Sequence, residues 1–303
     1  MKRLLILFAL VLSGCSSITG NVVQDYIPEE SSSIEPEVHF CSQEDCIKLI
    51  IDLISNRAKV DCAFYELTNK SLIEKLAKIN ARVIVHDNQS GHPGLMHNKF
   101  CIIDDSIVIT GSFNPTKTAA LNDNNLVVIH STYLAENYNQ EFDELFSNQF
   151  AKGEKVIHKT IYLNGKRIEN YFCPEDSCES NLLRVLSTAN KSIRFMVFSF
   201  SSDAIANKLI EKHLQGVDVS GVTEKFQSKY SQFDELNSSG IDIEYDSNKN
   251  IMHHKVFIVD EKIVVTGSYN PTSSADKKND ENMIILFDQS IASDFLAEFV
   301  RVR

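Results

Sequence analysis

Apolar and polar positions along the chain fall into one pattern that is written twice. Phe100-Cys101-Ile102-Ile103 and Val256-Phe257-Ile258-Val259 are unbroken apolar runs of strand length, and each leads through a short polar step to a second run, Ile107-Val108-Ile109 and Ile263-Val264-Val265. Such runs predict strands covered on both faces. Upstream, Phe40-Cys41-Ser42-Gln43-Glu44-Asp45-Cys46 corresponds to Phe172-Cys173-Pro174-Glu175-Asp176-Ser177-Cys178. Each is followed by an amphipathic helix, at about 47–57 and 179–190, and then by a strand, at 59–65 and 192–200. Further helices are expected at about 70–79 and 202–214, and after the apolar pairs at about 132–148 and 289–299. The body is therefore an internal repeat, residues 38–150 and 151–303. The halves are unequal: Phe64 to His97 is 33 positions and Val197 to His253 is 56. The surplus holds a strand candidate at Val217–Val222 and a helix near 228–238, so the first repeat is expected to lack one strand–helix unit and to build a lower cleft wall.

The start of the chain reads differently. Met1-Lys2-Arg3 and the apolar run Leu4 to Leu12 form a basic and then a hydrophobic region too short to span a bilayer, which needs about twenty residues. Leu12-Ser13-Gly14-Cys15 resembles a lipoprotein signal box, which implies a signal peptide at 1–14, cleavage before Cys15 and a diacylglycerol on its sulfur. The alternative is an ordinary secretory signal; either places the protein outside the cytoplasm, and the first places it on the extracytoplasmic face of the cell membrane. Residues 16–37 carry five acids, no Lys or Arg and no apolar period, so 15–37 is expected to be a flexible lipidated tether.

Composition narrows the partners. The chain has 303 residues, 43% of them hydrophobic, and a formal charge of −11; beyond the tether, 36 acids face 28 bases. Loose electrostatic binding of polyanions is disfavoured, while a local basic cleft remains open. Six cysteines remain after Cys15. The repeated C-x4-C in an exported protein points to disulfides among Cys41, Cys46, Cys173 and Cys178, with pairing across the halves or a four-cysteine zinc as alternatives. Cys62 and Cys101, on strands, read as simple buried residues.

The chemistry sits at the ends of the apolar runs. Each copy reads H-x-K-x4-D-x6-G-S-x-N followed by Pro-Thr: His97, Lys99, Asp104, Gly111, Ser112 and Asn114 in the first, His253, Lys255, Asp260, Gly267, Ser268 and Asn270 in the second. At period two, His and Lys project from one face of a strand into one cleft. Lysine offers a compact charge for a phosphate oxygen, and histidine can be nucleophile, acid or base near neutral pH. Glycine permits a sharp bend, and Ser and Asn add neutral donors for phosphate oxygens. One such copy would be an ordinary polar strand end, whereas two with the same tail at the same offset are a site.

This doubled motif resembles the phospholipase D superfamily, in which two such motifs meet in one phosphodiesterase site. The resemblance implies an α/β fold of two pseudo-symmetric βα repeats, each a mixed sheet flanked by helices, with a monomer sufficient for activity. It implies two-step catalysis without metal or cofactor: one histidine, of His97 and His253, forms a phosphohistidine while the other protonates the leaving oxygen and later activates water. Lys99, Lys255, Asn114 and Asn270 would clamp the phosphoryl group with Ser112 and Ser268; Asp104 and Asp260 are expected to be structural. Family members carry an acid after G-S-x-N that bonds the imidazole. Glu281 stands at that place in the second copy and Asn124 in the first, which predicts unequal histidines, with the pKa of His253 the higher.

His254 is expected on the opposite face of the strand, packed; His86 and His92 flank the loop before the first motif and could line the cleft mouth. Lys277-Lys278 reads as a solvated turn. G-S-x-N stands in both copies, as in the nuclease branch and many phospholipases, whereas cardiolipin synthases carry Gly-Gly there and N-terminal membrane helices. The compact repeats make a nuclease-like enzyme, an endonuclease cutting nucleic-acid phosphodiesters, the leading expectation, with the other readings as alternatives. A membrane anchor favours a phospholipase D acting on headgroups, and a catalytically idle phosphate-binding module is the reading from another class. The chain has no Trp, and no interleaved aromatic and basic residues mark a nucleic-acid groove.

Overall fold

A computed structural model describes residues 27–87 and 94–303; the signal segment, Cys15 and His92 lie outside them. The first half builds a six-stranded mixed sheet in the order Glu37–Phe40, Asn125–His130, Ile107–Gly111, Lys99–Ile103, Val60–Phe64, Arg82–Val85. The second repeats that order strand for strand, as Lys166–Cys173, Glu281–Phe287, Ile263–Gly267, Lys255–Val259, Ser192–Val197 and Asp218–Thr223. It then gains Asp242–Tyr245 on one edge and Thr160–Leu163 with Glu29–Glu30 on the other, nine strands in all. The added unit of the second half is thus Phe233–Ser238 with Asp242–Tyr245; the strand at Asp218–Thr223 has its counterpart in Arg82–Val85.

The two sheets face each other across one core. Phe100, Ile102, Val108 and Val127 from the first sheet and Val256, Ile258, Val264 and Ile284 from the second share a cluster with Leu134, Tyr138, Phe142, Phe295 and Phe299. The last five belong to helices Thr132–Phe146 and Gln289–Val302. The alternate residues of the same strands, such as Ile103 and Ile109 or Phe257 and Val259, are buried in separate clusters on the outer faces. Burial on both sides explains why the motif strands lack a polar alternation.

Three disulfides form among the described residues. Cys41–Cys46 and Cys173–Cys178 close the repeated six-residue loops. Cys62 and Cys101, expected to be free, are directly opposed on adjacent antiparallel strands with Cα atoms 4.1 Å apart, and they bond to each other. This correction has a simple cause: register puts them in a facing pair, which spacing alone does not reveal.

The acidic stretch is likewise not a free tether to residue 37. Glu29–Glu30 pairs in parallel with Thr160–Leu163. Glu30 accepts from the Ser131 hydroxyl and from the Thr132 amide (3.0 Å) at the start of helix Thr132–Phe146, and Glu35 pairs with Lys166 at 3.0 Å. The acids there find a helix N-terminus and a lysine, which favour negative charge.

Candidate active site

Each motif histidine stands two residues before the first residue of its strand and is stitched to the opposite half by main-chain bonds. The His97 amide donates to Asp280 O (2.9 Å), and the Asp280 amide donates to Leu95 O (2.9 Å). In the pseudo-symmetric position the His253 amide donates to Asp123 O (2.8 Å), and the Asp123 amide donates to Ile251 O (2.9 Å). The residue after each of these aspartates therefore meets the histidine of the other repeat. Glu281 accepts from His97 Nδ1 at 2.7 Å, and Asn124 Oδ1 accepts from His253 Nδ1 at 2.9 Å. The expectation that Glu281 raises His253 is thereby corrected: the carboxylate belongs to His97, because the halves exchange partners across the pseudo-twofold axis.

Both tautomers follow from these contacts. His253 Nδ1 also faces Ser112 O at 3.1 Å, and Asn124 is oriented by donating its Nδ2 to Ala119 O at 3.1 Å. With acceptors only at Nδ1, each ring carries its proton there and leaves Nε2 bare. Burial pushes His97 down to about 4, against the pull of Glu281 and with help from Lys99. His253 lies well below the ordinary histidine value, through burial and then through Lys255 and Lys99, with no carboxylate to oppose them. Burial alone would raise Glu281, but the imidazole and the Lys99 ammonium outweigh it and hold the carboxyl below its usual range.

Lys99 and Lys255 are buried at the head of their strands, and each ammonium donates to the carbonyl of its own motif histidine, Lys255 at 2.7 Å. Burial lowers Lys99 to about 7, against Glu281, and lowers Lys255 well below the lysine value, with Lys99 adding to the effect. Two residues missed from sequence pack here. Tyr65 and Phe198 set their rings 4.9 Å and 4.7 Å from His97 and His253, and lie 5.3 Å and 4.9 Å from the ammonium groups of Lys99 and Lys255. They follow Phe64 and Val197 in the aligned repeats, so the shared aromatic could have been seen. The ring faces attract the buried cations.

Asn114 and Asn270 open onto the same cleft of about 490 Å³ as His97 and His253. Ser112 and Ser268 do not. Both are fully buried: Ser112 donates to Asn124 Oδ1 (3.1 Å) and Ser268 to Glu281 Oε2 (2.6 Å). They orient the partners of the histidines rather than a phosphate, which corrects the role expected for them. The glycines before them serve close approach: a Cβ at Gly111 would stand 2.1 Å from Asn125 O, and one at Gly267 2.4 Å from Asn282 O.

Asp104 and Asp260 lie at the far strand ends with left-handed φ of 49° and 51°. Asp104 accepts from the amides of Ala58 and Lys59 (both 3.0 Å), and Asp260 from those of Asn190, Lys191 and Ser192 (3.1, 2.7 and 3.0 Å). Both pin a hairpin tip to the loop entering the neighbouring strand, a structural role. His254 is buried between Asn125 (3.1 Å) and Glu298 (2.9 Å). His86 stacks on Tyr65 at 5.2 Å and lines a neighbouring pocket, not the cleft, while Lys277 and Lys278 are exposed and also outside it.

The geometry presents two bare imidazole nitrogens and two amides to one cleft, with the two buried lysines bonded to the carbonyls of the histidines that line it. A family model described as cardiolipin synthase, PLD-like domain, matches residues 43–146 and 182–303. Phospholipase D of Rickettsia typhi is 34% identical over 145 residues, 47% of this chain and 71% of the relative. The mitochondrial cardiolipin hydrolase of Xenopus tropicalis is 36% identical over 135 residues, 43% of this chain and 64% of its own. Among solved structures, phosphatidylserine synthase from Haemophilus influenzae Rd KW20 shares the fold, with a TM-score of 0.72 at 11% identity over 89% of this chain and 87% of the other. With both repeats matched and both motif histidines brought to one cleft, this chain belongs to the phospholipase D superfamily and is a phosphodiesterase.

Proposed function

We propose that the chain hydrolyses phospholipid headgroup esters, one phosphodiester at a time, through a phosphohistidine. The observation that carries the substrate reading is the wall of the cleft. Among the described residues no Lys or Arg lines it, the two motif lysines being buried behind their histidines, and Glu66 and Glu281 are its only acids. A polynucleotide needs flanking cationic contacts along its backbone, whereas a lipid headgroup presents a single diester.

In the proposed reaction His97 is the nucleophile. Its Nε2 lone pair attacks phosphorus, the bond to the leaving oxygen breaks, and a protonated His253 gives its Nε2 proton to that oxygen. The phosphorylated ring keeps its Nδ1 proton and is cationic, so it is the ring that gains from the buried carboxylate 2.7 Å away. The incoming diester anion supplies the charge that favours protonated His253. In the second step His253 Nε2 takes a proton from water, whose oxygen attacks phosphorus and displaces His97. Lys99, Lys255, Asn114 and Asn270 hold the non-bridging oxygens and offset the charge that grows on them.

All of these groups come from one chain, which supports a monomeric enzyme. Export and acylation of Cys15 would hold the cleft at a lipid surface; fatty-acid labelling that survives Cys15→Ala would overturn the anchor. Nucleic-acid hydrolysis is the second reading, favoured by the compact repeats without long insertions.

The test offers the protein phospholipid vesicles, single-stranded and duplex DNA, RNA and bis(p-nitrophenyl) phosphate in EDTA, with His97→Ala and His253→Ala as controls. Headgroup release that both variants lose is expected. Cleavage of nucleic acid alone makes the enzyme a nuclease, and inertness toward even the small diester would leave a binding module.

A further inference from the structure

We propose that the rim of the cleft on the second-repeat side is a docking surface for an anionic phospholipid bilayer, centred on the short 3-10 segment Lys225–Tyr230. The inference rests on the phospholipid reading and adds how the enzyme would meet its substrate. Phe226 is 82% exposed, more than any other large apolar side chain among the described residues, and Tyr230 is 70% exposed. Leu121 (61%) and Ile251 (37%) are exposed too. These four are not scattered.

Hydrogen bonds link the segments that carry Leu121, Ile251 and Phe226, and Ile251 stands two residues before His253. Asn122, beside Leu121, accepts from the Ile251 amide at 3.2 Å, and Ile251 lines the cleft. The next amide, of Met252, donates to Glu224 Oε2 at 2.8 Å, and Glu224 Oε1 accepts from the Phe226 amide at 2.8 Å. The Glu224 carboxylate is thus turned inward and used up in holding the segment against the residue that precedes His253.

Charge completes the case. In a chain of net charge −11, this rim presents Lys225, Lys229 and Lys249, none paired with a carboxylate among the described residues. Lys229 lies 5.0 Å from the Tyr230 ring. Exposed aromatics flanked by free lysines suit the headgroup level of a membrane, where rings enter the boundary and ammonium groups meet anionic lipid. The same features beside a cleft that takes one diester explain why apolar side chains are left in solvent at its mouth.

Because the chain has no tryptophan, Phe226→Trp supplies a single reporter in the full-length protein, and it reads local insertion whether or not an acyl anchor also holds the protein. The probes are vesicles of phosphatidylglycerol with phosphatidylcholine, with and without brominated acyl chains, and a single-stranded oligonucleotide. Expected are a blue shift with phosphatidylglycerol vesicles, quenching by the brominated lipid, and unchanged turnover of bis(p-nitrophenyl) phosphate. Adding Lys225→Gln and Lys229→Gln should weaken the vesicle response roughly thirtyfold. Emission unmoved by any vesicle overturns the proposal, as does a shift with the oligonucleotide alone. Headgroup release with unmoved emission leaves the substrate reading standing without the docking surface, and a lipid-quenched reporter without headgroup release does the reverse.

Discussion

Replacing Glu281 with Gln tests the exchange of partners most directly. The carboxylate accepts from His97 Nδ1 (2.7 Å), the Ser268 hydroxyl (2.6 Å) and Asn279 Nδ2 (3.2 Å), all away from solvent. A glutamine keeps the shape and loses the charge. Unit charges about 4 Å apart interact by about 4 kcal/mol at an effective dielectric of 20, so a cationic ring at His97 loses support of that order. In the proposed mechanism the phosphohistidine and the transition state leading to it carry that cation, which predicts a fall in kcat of about 10²- to 10³-fold. The pKa of His97 should drop below its value of about 4. Asn124→Ala removes only a neutral acceptor from His253 and should cost about tenfold. Turnover of bis(p-nitrophenyl) phosphate gives the rates, and imidazole ¹⁵N shifts report each ring. Equal losses from the two variants, or a His97 titration unmoved by Glu281→Gln, would refute the argument.

Three further outcomes are expected. In the proposed mechanism Lys99 holds a phosphoryl oxygen as the charged ammonium, so kcat/KM should fall as pH rises through about 7. Over the same climb toward the ordinary lysine value stability should rise, since the unfolded chain then binds the proton that the folded chain has released; a pH–rate profile and urea melts check both signs. Breaking Cys62–Cys101, which closes a sequence separation of 39, with paired alanines should cost about 4 kcal/mol by loop entropy, against about 2 for Cys41–Cys46, as read from denaturant midpoints. Asp260→Ala leaves three amides without an acceptor and should lower stability by about 2–3 kcal/mol, with the small diester still turned over; loss of turnover in folded protein would contradict a structural role.

The doubled motif was legible because its strands are buried on both faces and its polar letters recur at one offset. From it came the α/β repeats, the helices and the inequality of the halves. What stayed hidden depends on contacts between segments far apart in the chain. The Cys62–Cys101 bond needs the register of two strands 39 residues apart. Ser112 and Ser268 carry the hydroxyl expected for phosphate, yet each rotates inward to the Asn124 or Glu281 that it meets. The owner of Glu281 depended on which half its loop crosses into, and 184 residues separate it from His97. Acidic composition suggested a loose tether, but Glu30 and Glu35 find partners that only the folded body supplies.

The crossed main-chain stitches at Asp123 and Asp280 also bear on how such a site can change. Were two identical copies of one half to form the cleft, any substitution at the partner position would strike both histidines together. Here the two partner positions are separate letters of one chain, so one can be carboxylate and the other amide. Covalent fusion thereby frees the two imidazoles to specialise, each tuned by a residue that the other does not touch.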